Sequence, residues 1–284
     1  MSWFEKLVPS ILTSSKPKTV PEGLWDKCPK CEAVLFKADL TRNMDVCSKC
    51  EYHIRIKARK RLDYFLDVDS KIEIGKEVIA KDRLKFKDTK KYKDRLTEAK
   101  KNTKESEALV VMIGSLKQIP IVACAFEFDF IGGSMGAAVG QKFVLAVEHA
   151  IKNECPLVCF AASGGARMQE SLLALMQMAK TTVALNRLSR RGLPYISVMT
   201  NPCMGGVSAS LAMLGDINIG EPGARIGFSG PRVIVEYIKE DLPETFQDSK
   251  SLLDSGFLDL LLDRRQHRDK IASIISKLMG VRIE

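Results

Sequence analysis

Cys28 and Cys31 form one C-x2-C pair and Cys47 and Cys50 form another, with 15 residues between the pairs. Two such knuckles present four thiolates, the ligand set of a tetrahedral Zn2+ held at roughly 2.3 Å per sulfur. With four sulfurs bound, no coordination position stays open, so the expected zinc is structural, one per chain, rather than catalytic. His53 follows Cys50 closely, but the cysteines already complete the set.

Two glycine pairs suggest a second chemistry. Gly164-Gly165 lies in Ser163-Gly164-Gly165-Ala166-Arg167-Met168-Gln169-Glu170, and Gly205-Gly206 in Met204-Gly205-Gly206-Val207-Ser208. Each is expected between a strand end and a helix start, where backbone N–H groups are unpaired and the helix dipole favours negative charge. Glycine lets another molecule approach that backbone closely. Two such turns at neighbouring strand ends can aim two N–H donors at one oxygen, an oxyanion hole suited to the enolate of a thioester. Either turn alone is equally compatible with tight packing. A third segment, Ile131-Gly132-Gly133-Ser134-Met135-Gly136, either shapes the substrate entrance or is only a turn.

Strong acids and bases are scarce around these turns. None of the three histidines lies near either glycine pair in sequence, and His149 and His267 read as structural or surface residues. Ser208 and Ser210 follow the second turn without an evident base. There is no G-x-S-x-G elbow, Walker lysine loop or G-x-G-x-x-G fingerprint. Such a site is equipped to stabilise charge rather than to move protons.

The elements that must hold these turns form a strand–glycine turn–helix pattern, repeated. Residues 108–113 and 119–126 read as a hairpin, 137–151 as a helix and 156–162 as a buried strand. A long helix is expected over 167–190, with Met168, Leu172, Leu175, Met176, Ala179, Val183 and Leu188 on or near one face. The unit then recurs as a strand over 194–200 and a helix over 207–214. Short strands are expected at 216–220 and 224–228, and a mostly helical tail from 231 onward. Upstream, 1–23 reads as a Pro- and Ser-rich tether with a short helix over 3–7, 24–56 as the cysteine module and 57–104 as a basic helical connector. Its Lys-rich part, 85–104, is expected to be a solvated helix or an ordered loop.

Of the 284 residues, 45% are hydrophobic and 28% charged, an ordinary soluble composition able to build a core without disulfides. Cys124, Cys155, Cys159 and Cys203 are scattered through apolar segments, which in a reducing compartment means buried thiols. No long uncharged apolar run appears, and the opening Met1-Ser2-Trp3-Phe4-Glu5-Lys6 lacks a secretory pattern, so a cytoplasmic protein without a membrane span is expected. The formal net charge of +9 resides entirely in residues 1–104, a stretch suited to nucleic acid, an acidic partner, a phosphorylated substrate or solvent.

Taken together, these residues resemble the β-subunit family of bacterial multi-subunit acetyl-CoA carboxylase carboxyltransferases. The resemblance runs along nearly the whole chain. It is carried by Met1-Ser2-Trp3-Phe4, Pro21-Glu22-Gly23-Leu24-Trp25, the four cysteines, Leu84-Lys85-Phe86, Lys90-Lys91-Tyr92-Lys93-Asp94-Arg95-Leu96, Ala125-Phe126-Glu127-Phe128 and all three glycine segments. It implies an α/β, crotonase-like (ClpP/crotonase) domain of repeated ββα units over 105–284, preceded by the zinc ribbon. It also implies transfer of a carboxyl group from carboxybiotin, supplied in trans on a carrier protein charged by a biotin carboxylase, to acetyl-CoA. The product would be malonyl-CoA, in the first committed step of fatty acid synthesis. An α subunit would offer the carboxybiotin side of the site, in an α2β2 assembly. By the same similarity the thioester oxygen is assigned to the N–H groups around Gly205 and Gly206, with Gly164 and Gly165 beside it. Gly132, Gly133 and Arg167 are expected to contact substrate. Two other readings compete: a nucleic-acid-binding zinc ribbon, also conceivable as a secondary activity, and a stand-alone crotonase-type hydratase or isomerase using Glu170 as acid or base.

Overall fold

The computed structural model describes residues 24–239, 241–243 and 245–282; the short helix expected over 3–7 lies outside them. Strand β1 (Trp25–Lys27) pairs antiparallel with β2 (Val34–Phe36), and α1 (Lys37–Arg42) follows. The two cysteine knuckles share one hydrogen-bond pattern. Cys28 N–H donates to Ala33 O and Glu32 N–H to Cys28 O, as Cys47 N–H donates to Tyr52 O and Glu51 N–H to Cys47 O. Glu32 and Glu51 turn the chain at positive φ, 58° and 56°.

Beyond the ribbon come α2 (Ala58–Phe65), β3 (Ile72–Ile74), α3 (Tyr92–Thr103), and the hairpin of β4 (Leu109–Leu116) and β5 (Ile119–Phe126). The chain then alternates through α4 (Ala137–Lys152), β6 (Leu157–Ser163), α5 (Leu172–Ser189), β7 (Tyr195–Cys203), α6 (Gly205–Ser208), β8 (Ile217–Gly220), α7 (Pro231–Ile238), α8 (Ser249–Asp254), β9 (Leu260–Leu261) and α9 (His267–Met279). Strands β3 to β9 lie in sequence order in one sheet, antiparallel as far as β5 and parallel from β5 onward.

The sheet is covered on both faces, which is why its strands are almost continuously apolar. The two-residue period still sorts the side chains. Val111, Val122, Cys124 and Cys159 share a core with Phe143 and Val147 of α4. Their neighbours Val110, Ile121, Val158 and Phe160 meet Leu62 and Phe65 of α2 and Ile271 and Ile275 of α9. No helix among the described residues is long and apolar enough to cross a membrane.

Four expectations change in detail. Residues 57–104 are helical at α2 and α3, but 66–91 are mostly irregular and carry β3, which extends the sheet along β4. There Asp67 accepts hydrogen bonds from the Lys117 and Gln118 N–H groups (3.1 and 3.0 Å) and the Ser115 hydroxyl (2.8 Å), tying the segment to the β4–β5 turn. Through β3 and Asp67 the segment packs against the edge of the sheet. The helix expected over 167–190 begins only at Leu172, because Ser171 breaks the backbone at φ 47° after a 3-10 turn. The helix expected over 207–214 is the single turn α6 followed by a second 3-10 turn. Residues 224–228 make only isolated bridges, Ile226 to Cys203 and Arg225 to Asp248.

Ribbon and body meet around one buried carboxylate. Glu221, just after β8, takes Arg61 of α2 at 2.7 Å and Arg264, ahead of α9, at 2.9 and 3.0 Å. Arg264 also donates to Met44 O (3.1 Å) and Ile54 O (2.9 Å) of the ribbon. Burial alone would raise the pKa of Glu221, but the two guanidinium groups more than offset it and hold it well below the usual carboxylate range. A depressed folded-state value means that this stabilisation is fully present above about pH 4.3 and is lost as pH falls through the folded value. Replacing Glu221 with alanine strands two buried cations and should cost about 3–5 kcal/mol. Urea unfolding at neutral pH measures it, and a loss below about 1 kcal/mol would mean the junction is held by other contacts.

Candidate functional site

The three glycine segments follow three adjacent strands, β5, β6 and β7, at their carboxyl ends. That edge of a parallel sheet is where ligands bind in α/β folds. The segments are stitched together by main-chain bonds. Gly164 N–H donates to Gly132 O (2.8 Å), Met135 N–H to Gly165 O (2.8 Å), Arg167 N–H to Met135 O (2.9 Å) and Met204 N–H to Ser163 O (2.8 Å).

Close backbone contact and positive φ favour glycine at these places. A Cβ on Gly133 would lie 2.1 Å from Ala162 O. One on Gly165, at φ 117°, would lie 3.1 Å from both Gly205 Cα and Gly206 N. One on Gly205, at φ 61°, would lie 3.0 Å from Gly165 Cα. The two glycine pairs therefore touch, which places the two turns in one site and also gives them a packing role.

Which N–H groups remain free differs from the sequence expectation. Gly164 N–H is spent on Gly132 O, and Gly165 N–H on the Ser163 hydroxyl at 3.0 Å. Gly205 N–H donates to Phe228 O at 2.9 Å. By contrast, neither Ala166 N–H nor Gly206 N–H donates to a protein group among the described residues. They come from different turns, and a Cβ on Gly206 would stand 3.4 Å from Ala166 N. Of the four glycines expected to supply donors, only Gly206 keeps a free one. Ala166 was missed, since nothing in its side chain marks it.

Arg167, expected to contact substrate, has its side chain buried beneath the glycine turn. It is fully buried, and all five of its N–H bonds have acceptors. These are the Glu107 carboxylate, bidentate at 2.6 and 2.7 Å, Tyr92 Oη at 3.0 Å, Ser134 O at 2.8 Å and Ser134 Oγ at 3.2 Å. Burial disfavours the cation, yet Glu107 beside it raises its pKa above the ordinary arginine value, so it stays charged. Glu107 and Tyr92 were not singled out from sequence. A buried arginine between a glycine turn and an apolar helix demands a carboxylate, and that requirement was the available signal.

The remaining acid, base and nucleophile candidates are occupied. Glu170 accepts from the Tyr92 hydroxyl (2.5 Å) and from Ala137 N–H at the start of α4 (2.7 Å). The Ser208 hydroxyl faces Gly205 O and Gly227 O, and the Ser210 hydroxyl faces Gly206 O, so no base receives their protons. His267 Nε2 reaches Leu262 O at 3.2 Å, and burial pulls its pKa down to about 4, leaving it neutral.

The four ribbon thiols converge, with every Sγ within 4.8 Å of the others. Cys28 and Cys50 are 3.7 Å apart and Cys31 and Cys47 3.8 Å. Sulfurs at the corners of a tetrahedron around Zn2+ stand about 3.8 Å apart, and a disulfide needs about 2.05 Å. The residues fit structural zinc. Burial raises both ends of the cluster, but the backbone N–H groups of Cys31 and Lys30 bring Cys28 down to about 7, while burial and the neighbouring thiols send Cys50 up to about 12. Four thiolates cannot coexist there without a cation.

Residues 58–264 match the carboxyl transferase domain family, and residues 25–50 match the acetyl-CoA carboxylase zinc finger domain. The chain is similar to transcarboxylase 12S, a hexamer seen with hydrolysed methylmalonyl-CoA bound: 26% identity over 78% of this chain and 42% of that one, TM-score 0.65. It is similar to a Pseudomonas malonate decarboxylase hetero-tetramer in complex with malonate: 25% identity over 84% of this chain and 87% of that one, TM-score 0.64. The α/β body thus has the crotonase-like fold of carboxyltransferases, although this chain spans less than half of the transcarboxylase 12S chain. Metal analysis of the purified protein should give about one zinc per chain. Cys47→Ser should lose it and lower the melting temperature; retention of zinc by the variant would break the four-sulfur assignment.

Proposed function

This chain belongs to the carboxyl transferase domain family, and on that premise we propose that it holds acetyl-CoA while a carboxyl group is transferred to it, giving malonyl-CoA. The choice of acetyl rests on the ribbon, which matches the zinc finger domain of acetyl-CoA carboxylase. The observation that carries the proposal is the pair of free N–H groups, Ala166 and Gly206, on two touching turns beside acids that are already spent.

Carboxybiotin delivered on a carrier supplies the carboxyl group and, once free of it, the base for the α-proton of the thioester. The chain's own part is electrostatic. Ala166 N–H and Gly206 N–H receive the thioester oxygen and hold it more strongly as negative charge develops on it in the enolate. Removing one such donor elsewhere costs about 10²–10³ in turnover. A stand-alone hydratase or isomerase would need a free acid or base here, and both Glu170 oxygens are engaged. A nucleic-acid ribbon would need a basic surface, and residues 24–56 carry only six basic against five acidic side chains.

A partner subunit completes the proposal. Of the apolar residues expected on or near one face of α5, Leu172, Leu175, Met176 and Val183 face outward, 53–64% exposed, as does Met168 just before the helix, while Leu188 is buried. The inner face is instead Ala174, Gln177, Thr181, Ala184, Leu185 and Leu188. An apolar row of this extent suits a protein interface. Met178 on the same helix lies against the Gly206 site, where a Cβ would come 3.1 Å from its sulfur. We assign this face to an α subunit bringing the carboxybiotin side.

Two tests follow. Malonyl-CoA formation should require this chain, its α subunit and carboxylated carrier together, and Gly206→Val, whose side chain crowds Ala166 and Met178, should lower turnover strongly in a folded, zinc-loaded protein. Inactivity of the complete wild-type mixture would defeat the proposal. Separately, Leu172→Glu with Leu175→Glu should abolish co-elution with α while leaving zinc content and melting temperature near wild type; undiminished co-elution would move the interface elsewhere.

A further inference from the structure

Tyr92 has no part in the chemistry above, yet it is buried at the foot of the site on a segment whose role the sequence leaves open. Its hydroxyl sits between Arg167 Nη1 (3.0 Å) and Glu170 Oε1 (2.5 Å). A guanidinium can only donate, so the phenol oxygen accepts from Arg167 and its single proton goes to Glu170. The other Glu170 oxygen takes Ala137 N–H (2.7 Å), and Arg167 grips Ser134 O (2.8 Å). Through these two partners Tyr92 bridges the turn bearing Ala166 to the segment running from Ile131 to Gly136.

That segment needs holding. Ile131, Gly132 and Gly133 all lie at positive φ (50°, 64° and 62°), a region a β-branched residue such as Ile131 occupies only at a cost. A Cβ on Gly136 would come 2.4 Å from Glu170 Oε1 and displace that carboxylate. Gly132 O in turn fixes Gly164 N–H, two residues from Ala166. Burial also keeps the phenol protonated, well above its usual pKa.

We propose that Tyr92 is a positioning residue for carboxyl transfer, orienting Glu170 and Arg167 so that the Ala166 amide is aimed at the thioester oxygen. The inference rests on the function proposed above. Wild-type turnover in the complete mixture tests that function, whereas the ratio of variant to wild type tests Tyr92.

Tyr92→Phe keeps the ring and removes only the hydroxyl. In the complete α and β mixture it should lower kcat about tenfold, the worth of one buried hydrogen bond, with KM for the acyl-CoA and zinc content unchanged. Glu170→Gln should give the same split, and the double variant should be no slower than the slower single one, because both cut the same link. A purely structural tyrosine would lower the melting temperature while leaving kcat per folded site intact. Wild-type kcat in folded Tyr92→Phe, or losses that simply multiply in the double variant, would overturn the proposal. If Tyr92→Phe does not fold, the kcat and KM of Glu170→Gln decide alone: unchanged kcat overturns the proposal.

Discussion

Contact between two backbones governs this molecule. Gly165 and Gly205 approach so closely, each at a positive φ, that a Cβ on either would be strained and crowded against the other's backbone, and a Cβ on a third glycine, Gly133, would clash outright with Ala162 O. Such contacts are possible only where neighbouring parallel strands end side by side, as β5, β6 and β7 do. The sheet therefore exists in this order for a reason visible at its edge. The reward is two amides, Ala166 and Gly206, next to each other and without protein acceptors among the described residues. Preorganised N–H groups need no reorganisation when charge appears, which is why rigidity here matters more than any titrating side chain.

Rigidity of that kind must be supplied from beneath, and two buried charge clusters supply it. Under the glycine turns, Arg167 is saturated by Glu107, Tyr92 and Ser134. At the far junction, Glu221 is clasped by Arg61 and Arg264, and Arg264 continues into ribbon carbonyls. Each cluster draws on residues far apart in sequence: Tyr92 with Arg167, and Arg61 with Glu221 and Arg264. Neither is strong evidence of net stability, since desolvating the charges offsets much of their attraction. Their satisfied hydrogen bonds do, however, leave few alternative arrangements for the turns and the ribbon to adopt.

Much of this was legible in the sequence because it is written locally. The four ribbon cysteines sit on tight knuckles whose spacing is itself the signal. The strands around Val122, Val158 and Ile196 are short apolar runs bounded by turns, and β-branched residues make them unmistakable. The failures come from information that is not local. Periodicity marked one face of α5 as apolar, but it cannot say whether the cover is this chain's sheet or another chain, and Leu172 and Met176 face outward. Ser171 delays the start of α5 without glycine or proline to announce it. The Arg167–Glu107 pairing is invisible from local sequence because the partners lie 60 residues apart. Ala166 could not be found at all, since an amide donates whatever side chain it bears.

The outward face of α5 and the spent carboxylates have a common consequence. An oxyanion hole built from main-chain amides has no group that titrates near neutrality, and the nearby acids are committed to holding the fold. In the proposed function, such a chain stabilises an enolate that a base from elsewhere must make. In the carboxyl-transfer reading the base arrives only with the carboxyl donor, brought by a partner seated beside Met178 and the Gly206 turn. Proton removal and carboxyl delivery are then coupled by geometry, and the thioester is protected from idle enolisation whenever the donor is absent. In that reading a histidine or free glutamate at the glycine turns would destroy the coupling, which gives the engagement of Glu170 by Tyr92 and Ala137 a functional sense.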